Sequence, residues 1–185
     1  MIFYNEARNL ALLTIPKNCS ESIMLGLKRQ FVHYDAKKLP KNTDAIVIFR
    51  DPVNRWISGS VEYFAYPEGL LPHPMSVKGI EINLTQWLEK PRPWDFHTEL
   101  QSTSYNWQDF NLKPYWYNKD VLKQINKDYN CFDRILQTHQ EPFRKKYKKM
   151  ILDFIDKDKY RVMSHLSALY QNDYDFFQTL KFVNG

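Results

Sequence analysis

The fold is decided by Ala45-Ile46-Val47-Ile48-Phe49-Arg50-Asp51-Pro52-Val53-Asn54-Arg55-Trp56-Ile57-Ser58. Five apolar residues, Ala45 to Phe49, read as a strand buried on both faces. Arg50 closes it. Asp51 suits a helix cap, and Pro52 suits the first helical turn, where a missing N–H costs nothing. Ser58 lies eight residues after Arg50, so a helix returns its hydroxyl to the side on which it began. An arginine and a hydroxyl converging at a strand-to-helix turn suit a phosphate.

A second passage of the same kind lies upstream, in Leu10-Ala11-Leu12-Leu13-Thr14-Ile15-Pro16-Lys17-Asn18-Cys19-Ser20-Glu21-Ser22. A strand over 10–15 ends at Pro16, a short loop carries Lys17, and a helix over 20–32 starts at Ser20. Ile23, Leu27 and Phe31 make its apolar stripe. The order of strand, lysine loop and hydroxyl-bearing helix is that of a P-loop, without the Walker pattern. The loop has no glycine; Asn18 is the residue expected to take a left-handed conformation in its place.

Together the two passages resemble the sulfotransferase family, in particular its carbohydrate sulfotransferase branch. Pro16, Lys17, Ser20 and Ser22 match the family's first motif. Arg50, Asp51, Pro52, Arg55 and Ser58 match its second. Asp95-Phe96-His97-Thr98-Glu99-Leu100-Gln101 resembles its Asp-x-His-x-x-Pro-Gln segment, with the proline replaced. Phe132-Asp133-Arg134-Ile135-Leu136 resembles its late core strand, and Leu169 to Phe177 its terminal helix.

The resemblance implies 3′-phosphoadenosine 5′-phosphosulfate (PAPS) as co-substrate, no metal, and a small-molecule or glycan hydroxyl as acceptor. Pro16 to Ser22, including Asn18, Cys19 and Glu21, would then surround the 5′-phosphosulfate. Arg50 and Ser58 would hold the 3′-phosphate. Lys17 would stabilise charge on the leaving group, as an ammonium suits. For the base three residues stand open: His33, which lies between the motifs, His97, and Glu21, which replaces a usual hydroxyl residue. Histidine titrates near neutrality and suits proton abstraction. His97 and Gln101 are alternatively acceptor-binding residues. Arg55 has two readings, a substrate contact or a structural ion pair.

The alternation of strands and helices implies an α/β protein with a central parallel sheet flanked by helices. With the resemblance, this becomes a P-loop-like three-layer fold. At 185 residues and 43% hydrophobic content, one domain over 1–185 is expected. Further elements are a helix over 52–66, a long loop over 67–79, a short helix over 81–89, an unassigned aromatic stretch over 95–117, and a helix over 118–128. A strand at 131–137 and helices at 141–156 and 164–180 complete the order. Trp94, Tyr105, Trp107, Tyr115, Trp116 and Tyr117 suit either core packing or a sugar platform.

No apolar run reaches membrane-spanning length. Met1 to Arg8 lacks the basic-then-apolar build of a signal peptide, so a cytoplasmic location is expected. Cys19 and Cys131 offer neither metal spacing nor a disulfide framework. The net charge of +5 owes much to Arg144-Lys145-Lys146-Tyr147-Lys148-Lys149. That run reads as the solvated face of an amphipathic helix with Phe143, Tyr147, Met150, Ile151 and Phe154 on its apolar stripe. A nucleic-acid partner is not expected. A magnesium-dependent P-loop kinase and a non-catalytic nucleotide- or glycan-binding protein are the rival functions.

Overall fold

A computed structural model describes residues 1–65, 75–135 and 142–184, with residues 142 and 143 as backbone only. In chain order its elements are β1 (Ile2–Asn5), β2 (Leu10–Leu13), α1 (Ser20–Gly26), β3 (Val32–Tyr34), β4 (Thr43–Phe49), α2 (Pro52–Ala65) and α3 (Val77–Glu89). There follow β5 (Phe110–Trp116), α4 (Val121–Tyr129), α5 (Pro142–Lys157), α6 (Lys159–Leu169) and α7 (Gln171–Gln178). Two compact units divide the chain. The first is Met1–Arg50, Gln101–Thr138 and Gln178–Gly185; the second is Asp51–Leu100 and His139–Phe177.

The first unit is built on a five-stranded sheet in the order β3-β1-β2-β4-β5. β2, β4 and β5 are parallel, as the sequence implies. β1 runs antiparallel to both β2 and β3, so the sheet is mixed where a parallel one was expected. The cause is local. A 3₁₀ turn over Glu6–Arg8 and left-handed Asn9 (φ 47°) turn the chain back at once. So short a connection joins only antiparallel neighbours.

β2 is buried at every position, as expected of a strand covered on both faces. One sheet face presents Leu10, Leu12, Ile46, Ile48 and Tyr115 to Ile23 of α1 and to Val121, Leu122 and Ile125 of α4. Each such side chain contributes about 1.5–3 kcal/mol on burial. β5 pairs with β4 from Thr43↔Phe110 to Phe49↔Trp116, inside the stretch the sequence left unassigned. Pro114 obscured it. A proline sits in a sheet only where its missing N–H faces away from a partner, and β5 ends the strand order.

α1 stops at Gly26, six residues short of the expected helix. A Cβ there would lie 2.2 Å from the Arg134 carbonyl oxygen, so the 132–134 backbone occupies the path of a longer helix face. Asp133 N–H donates to the Gly26 carbonyl, and Lys28 N–H to that of Cys131. The expected strand at 131–137 is, over its described residues, a single antiparallel bridge between Phe132 and Leu27. Residues 136 and 137 lie outside the described residues.

The second unit is helical. Trp56, Val61 and Phe64 of α2, Ile80, Leu84 and Trp87 of α3, and Tyr147, Ile151 and Ile155 of α5 share one core with Val162, Leu166 and Tyr170. α2 begins on Pro52 and is capped by Asp51, whose Oδ1 accepts the Asn54 N–H at 2.8 Å. The expected helix at 164–180 is two helices, α6 and α7, joined at Tyr170. On α5, Tyr147 and Ile151 are buried while Lys145, Lys146, Lys148 and Lys149 are exposed, the solvated-face pattern expected. Arg144 pairs with Glu62 at 2.5 Å. Phe143 of the expected stripe and residues 67–74 of the expected loop lie outside the described side chains. Ser76 caps α3 instead of continuing that loop. Among the described residues no helix is long and apolar enough to cross a membrane.

Candidate functional site

The first loop and the end of β4 are joined by side chains that cross between them. Asn18, 1% exposed, donates from Nδ2 to the Ile48 carbonyl at 2.9 Å and to Gln101 Oε1 at 2.5 Å. Gln101, wholly buried, also accepts the Arg50 N–H at 3.1 Å and donates to the Arg50 carbonyl at 2.7 Å. The Arg50 guanidinium donates from Nη1 to the Lys17 carbonyl at 3.1 Å and stands 4.6 Å from the Tyr117 ring centre. Lys17, Asn18, Arg50, Gln101 and Tyr117 therefore form one cluster at the carboxyl ends of adjacent parallel strands. Ligands of open α/β sheets bind at that position.

The loop bends through left-handed residues, but not at Asn18. Lys17 (φ 66°) and Cys19 (φ 63°) take that conformation on either side of it. Left-handed backbone is costly for a residue with a Cβ and persists where its surroundings enforce it. Here the enforcing contacts are those of buried Asn18. Two buried polar atoms in the cluster, Asn18 Oδ1 and Arg50 Nε, meet no hydrogen-bond partner among the described residues. Such atoms are uncommon in a folded protein and suit a ligand or water.

Cys19, not a serine, is the N-cap of α1, and its side chain makes no cap hydrogen bond. Ser20 and Ser22 are thereby released from the capping role serines usually fill at this position. Ser20 is half-buried and Ser22 buried. Glu21 is exposed in the first turn, where a carboxylate favours the helix dipole. Burial pushes the Cys19 thiol up to about 11, with the Arg50 charge acting in the opposite direction. The neighbouring cations do not make it a thiolate.

In the second unit Arg55 is 2% exposed. It donates to the carbonyls of Glu99 and Phe96, the latter at 3.4 Å. It holds the 96–99 backbone from beneath, a buried structural position. The segment it holds carries His97, whose Nδ1 lies 2.9 Å from Asp95 Oδ2. Gly59, next to half-buried Ser58, seats this segment on α2. A Cβ at Gly59 would stand 2.6 Å from Thr98 Cγ2 and 2.8 Å from the His97 carbonyl oxygen. From α6's end the Tyr170 hydroxyl donates to the Thr98 carbonyl at 2.5 Å.

His33 stands on β3, exposed, with its ring 6.1 Å from that of Phe3. Register puts it level with Leu12, two strands away, at about 10 Å. His73 and His139 lie outside the described residues. His165 packs edge-on against Trp87. Most of the aromatic group is packing. Trp94 stacks on Tyr63 at 5.5 Å and gives its indole N–H to Ser60. Tyr115 is buried with its hydroxyl on Asp128, and Trp116 packs on Phe182. Tyr117 touches the cluster through the Arg50 guanidinium, a contact the sequence did not suggest. Its N–H donates to the Phe49 carbonyl, which sets it level with Arg50.

Pro16, half-buried, separates β2 from this loop. Comparisons with family models, curated proteins and solved structures return no match.

Proposed function

We propose that this chain is a sulfotransferase of P-loop-like fold that moves a sulfuryl group from PAPS to a hydroxyl of a carbohydrate. The observation that carries the reading is the buried Asn18–Gln101–Arg50 bracket. It ties the lysine loop to the end of the neighbouring parallel strand, so that both motif loops share one sheet edge. Of the two polar atoms left over in that bracket, Arg50 Nε is a donor that fits a ligand rich in anionic oxygens, while Asn18 Oδ1 only accepts and suits a hydroxyl or water.

Each residue's role follows from its chemistry. Lys17 supplies an ammonium to the oxygen on which charge develops. Ser20 and Ser22, with no capping duty, donate to the 5′-phosphate. Arg50 meets the 3′-phosphate. Gln101 and Arg55, by contrast, hold backbone. Their motif positions are matched, and their place in the motif is structural.

The experiment is transfer from radiolabelled PAPS to a panel of neutral and anionic oligosaccharides. Lys17→Ala should lose about 10²–10³-fold in turnover while binding of 3′-phosphoadenosine 5′-phosphate (PAP) survives. Full activity in that variant would end the proposal.

A further inference from the structure

β5 is the last strand of its sheet, and a side chain closes its outer edge at the point where the chain leaves it. Tyr117 gives its N–H to the Phe49 carbonyl on the β4 side. Trp116, one residue earlier, therefore turns its own N–H and C=O to the open edge. Asn184 meets both. Its Oδ1 accepts the Trp116 N–H at 2.7 Å, and its Nδ2 donates to the Trp116 carbonyl at 2.9 Å. A primary amide carries the same donor and acceptor as a peptide group, so this one stands in for the backbone of a further strand. Two residues back on the same edge, the Pro114 carbonyl accepts the Val183 N–H at 2.9 Å. Proline has no N–H to leave unpaired, so the outward backbone groups of 114 and 116 are all engaged.

The same amide reaches the following helix. Asn184 Nδ2 also donates to Gln124 Oε1 of α4 at 3.1 Å, and Asn118 Nδ2 donates to that oxygen at 3.3 Å. Asn118 Oδ1 in turn accepts the Asp120 N–H at 2.9 Å. Phe182 packs edge-on against Trp116 and Phe49, with ring centres 5.1 Å and 6.2 Å away. The turn from β5 into α4 is thus held by 182–184 on its outer side and by Phe49 on its inner side.

That turn carries Tyr117, whose ring centre is 4.6 Å from the Arg50 guanidinium. Arg50 Nη1 donates to the Lys17 carbonyl at 3.1 Å, and Nε meets no hydrogen-bond partner among the described residues. The Tyr117 ring is therefore the second contact that fixes where the guanidinium points. A cation–π contact needs the cation over the ring face, so it depends on how the backbone presents the ring. Every residue of this chain of contacts belongs to the first unit.

We propose that Asn184 is a positioning residue for the anion site: by closing the edge of β5 at Trp116 it sets the exit of the strand and keeps the Tyr117 ring on the Arg50 guanidinium. The consequence for the 3′-phosphate rests on the nucleotide-binding reading; the placing of Arg50 does not.

The test is a double-mutant cycle on the full chain, with Asn184→Leu, Tyr117→Leu and both together. Without ligand, the NMR signal of the Arg50 Nε–H, assigned by its loss in Arg50→Met, reports the ring current of Tyr117 as its displacement in Tyr117→Leu. Asn184→Leu should move it in the same direction, and the double variant should coincide with Tyr117→Leu. With PAP, calorimetry should show about 2–30-fold weaker binding in Tyr117→Leu, the worth of one cation–π contact. Asn184→Leu should lose no more than that, and the double variant should bind as Tyr117→Leu does. Asn184→Asp keeps the acceptor for the Trp116 N–H and loses the donor, so it should fall between wild type and Asn184→Leu on both readouts.

An Arg50 signal that stays in place in Asn184→Leu overturns the proposal. So does a loss of PAP affinity from Asn184→Leu that recurs in full in the Tyr117→Leu background, since Asn184 would then act by another route. Failure of the wild type to bind PAP, with the Arg50 signal moved as expected, overturns the nucleotide reading and leaves the positioning of Arg50 standing.

Discussion

Gln101 and Arg55 invite comparison, because both stand in sequence motifs and both are buried against backbone, one in each unit. Gln101 is a neutral amide that satisfies both backbone groups of Arg50 and the amide of Asn18. Around it two buried polar atoms, Asn18 Oδ1 and Arg50 Nε, meet no partner among the described residues. Arg55 is a cation spread under two carbonyls of a turn whose histidine is already engaged by a carboxylate. The first region is braced and keeps hydrogen-bonding capacity in reserve. The second is braced so that one side chain has one orientation. The former suits binding of an anion; the latter fixes the orientation of His97.

Removal of Arg55 should have the largest effect on the fold. Arg55→Met keeps the bulk but leaves two carbonyls unsatisfied, at about 1–3 kcal/mol each, so stability should fall by about 2–6 kcal/mol. Urea unfolding followed by tryptophan fluorescence measures it. Unchanged stability with a raised acceptor KM would instead make Arg55 a substrate contact and erase the contrast with Gln101.

Gln101→Leu should cost less, about 1–3 kcal/mol, since Asn18 keeps its bond to Ile48. It should also weaken PAP binding, because Asn18 and the Arg50 backbone lose their common partner. A stability loss with PAP binding untouched would reduce the bracket to a fold element.

Smaller again, Tyr117→Leu removes a cation–π contact and should weaken PAP binding by about 0.5–2 kcal/mol, read by calorimetry. The least effect concerns Cys19. Its thiol, ordinarily near 9.0, is raised to about 11 by burial. The neutral thiol is therefore the form favoured by folding. Its stabilising contribution is complete below pH 9 and lost as pH rises toward 11. Iodoacetamide labelling at Cys19, with Cys19→Ser as control, should be slow at pH 8 and quicken through that interval. Rapid labelling at pH 8 would mean that the loop is open.

Much of this arrangement was legible in the chain. Ala45 to Phe49 and Leu10 to Leu13 are continuous apolar runs, and such runs leave little choice but buried parallel strands. The Asp51-Pro52 start of α2 is a local signal with a local cause. Three features were not legible, each for a physical reason. β1 and β3 are short and pair through register, which no periodicity shows. β5 contains Pro114, harmless only because the strand lies at the edge. α1 ends at Gly26 because a segment a hundred residues away lies against it.

At the candidate site, residue types were readable and their duties less so. Asn18 was expected to bend the loop; Lys17 and Cys19 bend it, and Asn18 anchors it. Asp95 was legible only as a motif letter. Its role depends on a contact of 2.9 Å, which spacing alone does not specify.

The central claim is that the cluster around Lys17 and Arg50 binds a nucleotide bearing a 3′-phosphate. Isothermal titration of the full chain with PAP, AMP and ATP, with and without magnesium, tests it most directly. PAP should bind without magnesium and about 10–150-fold tighter than AMP, the worth of one charged contact at about 1.5–3 kcal/mol. Arg50→Met should erase most of that difference. Equal affinity for AMP, or a strict magnesium requirement with preference for ATP, would contradict it.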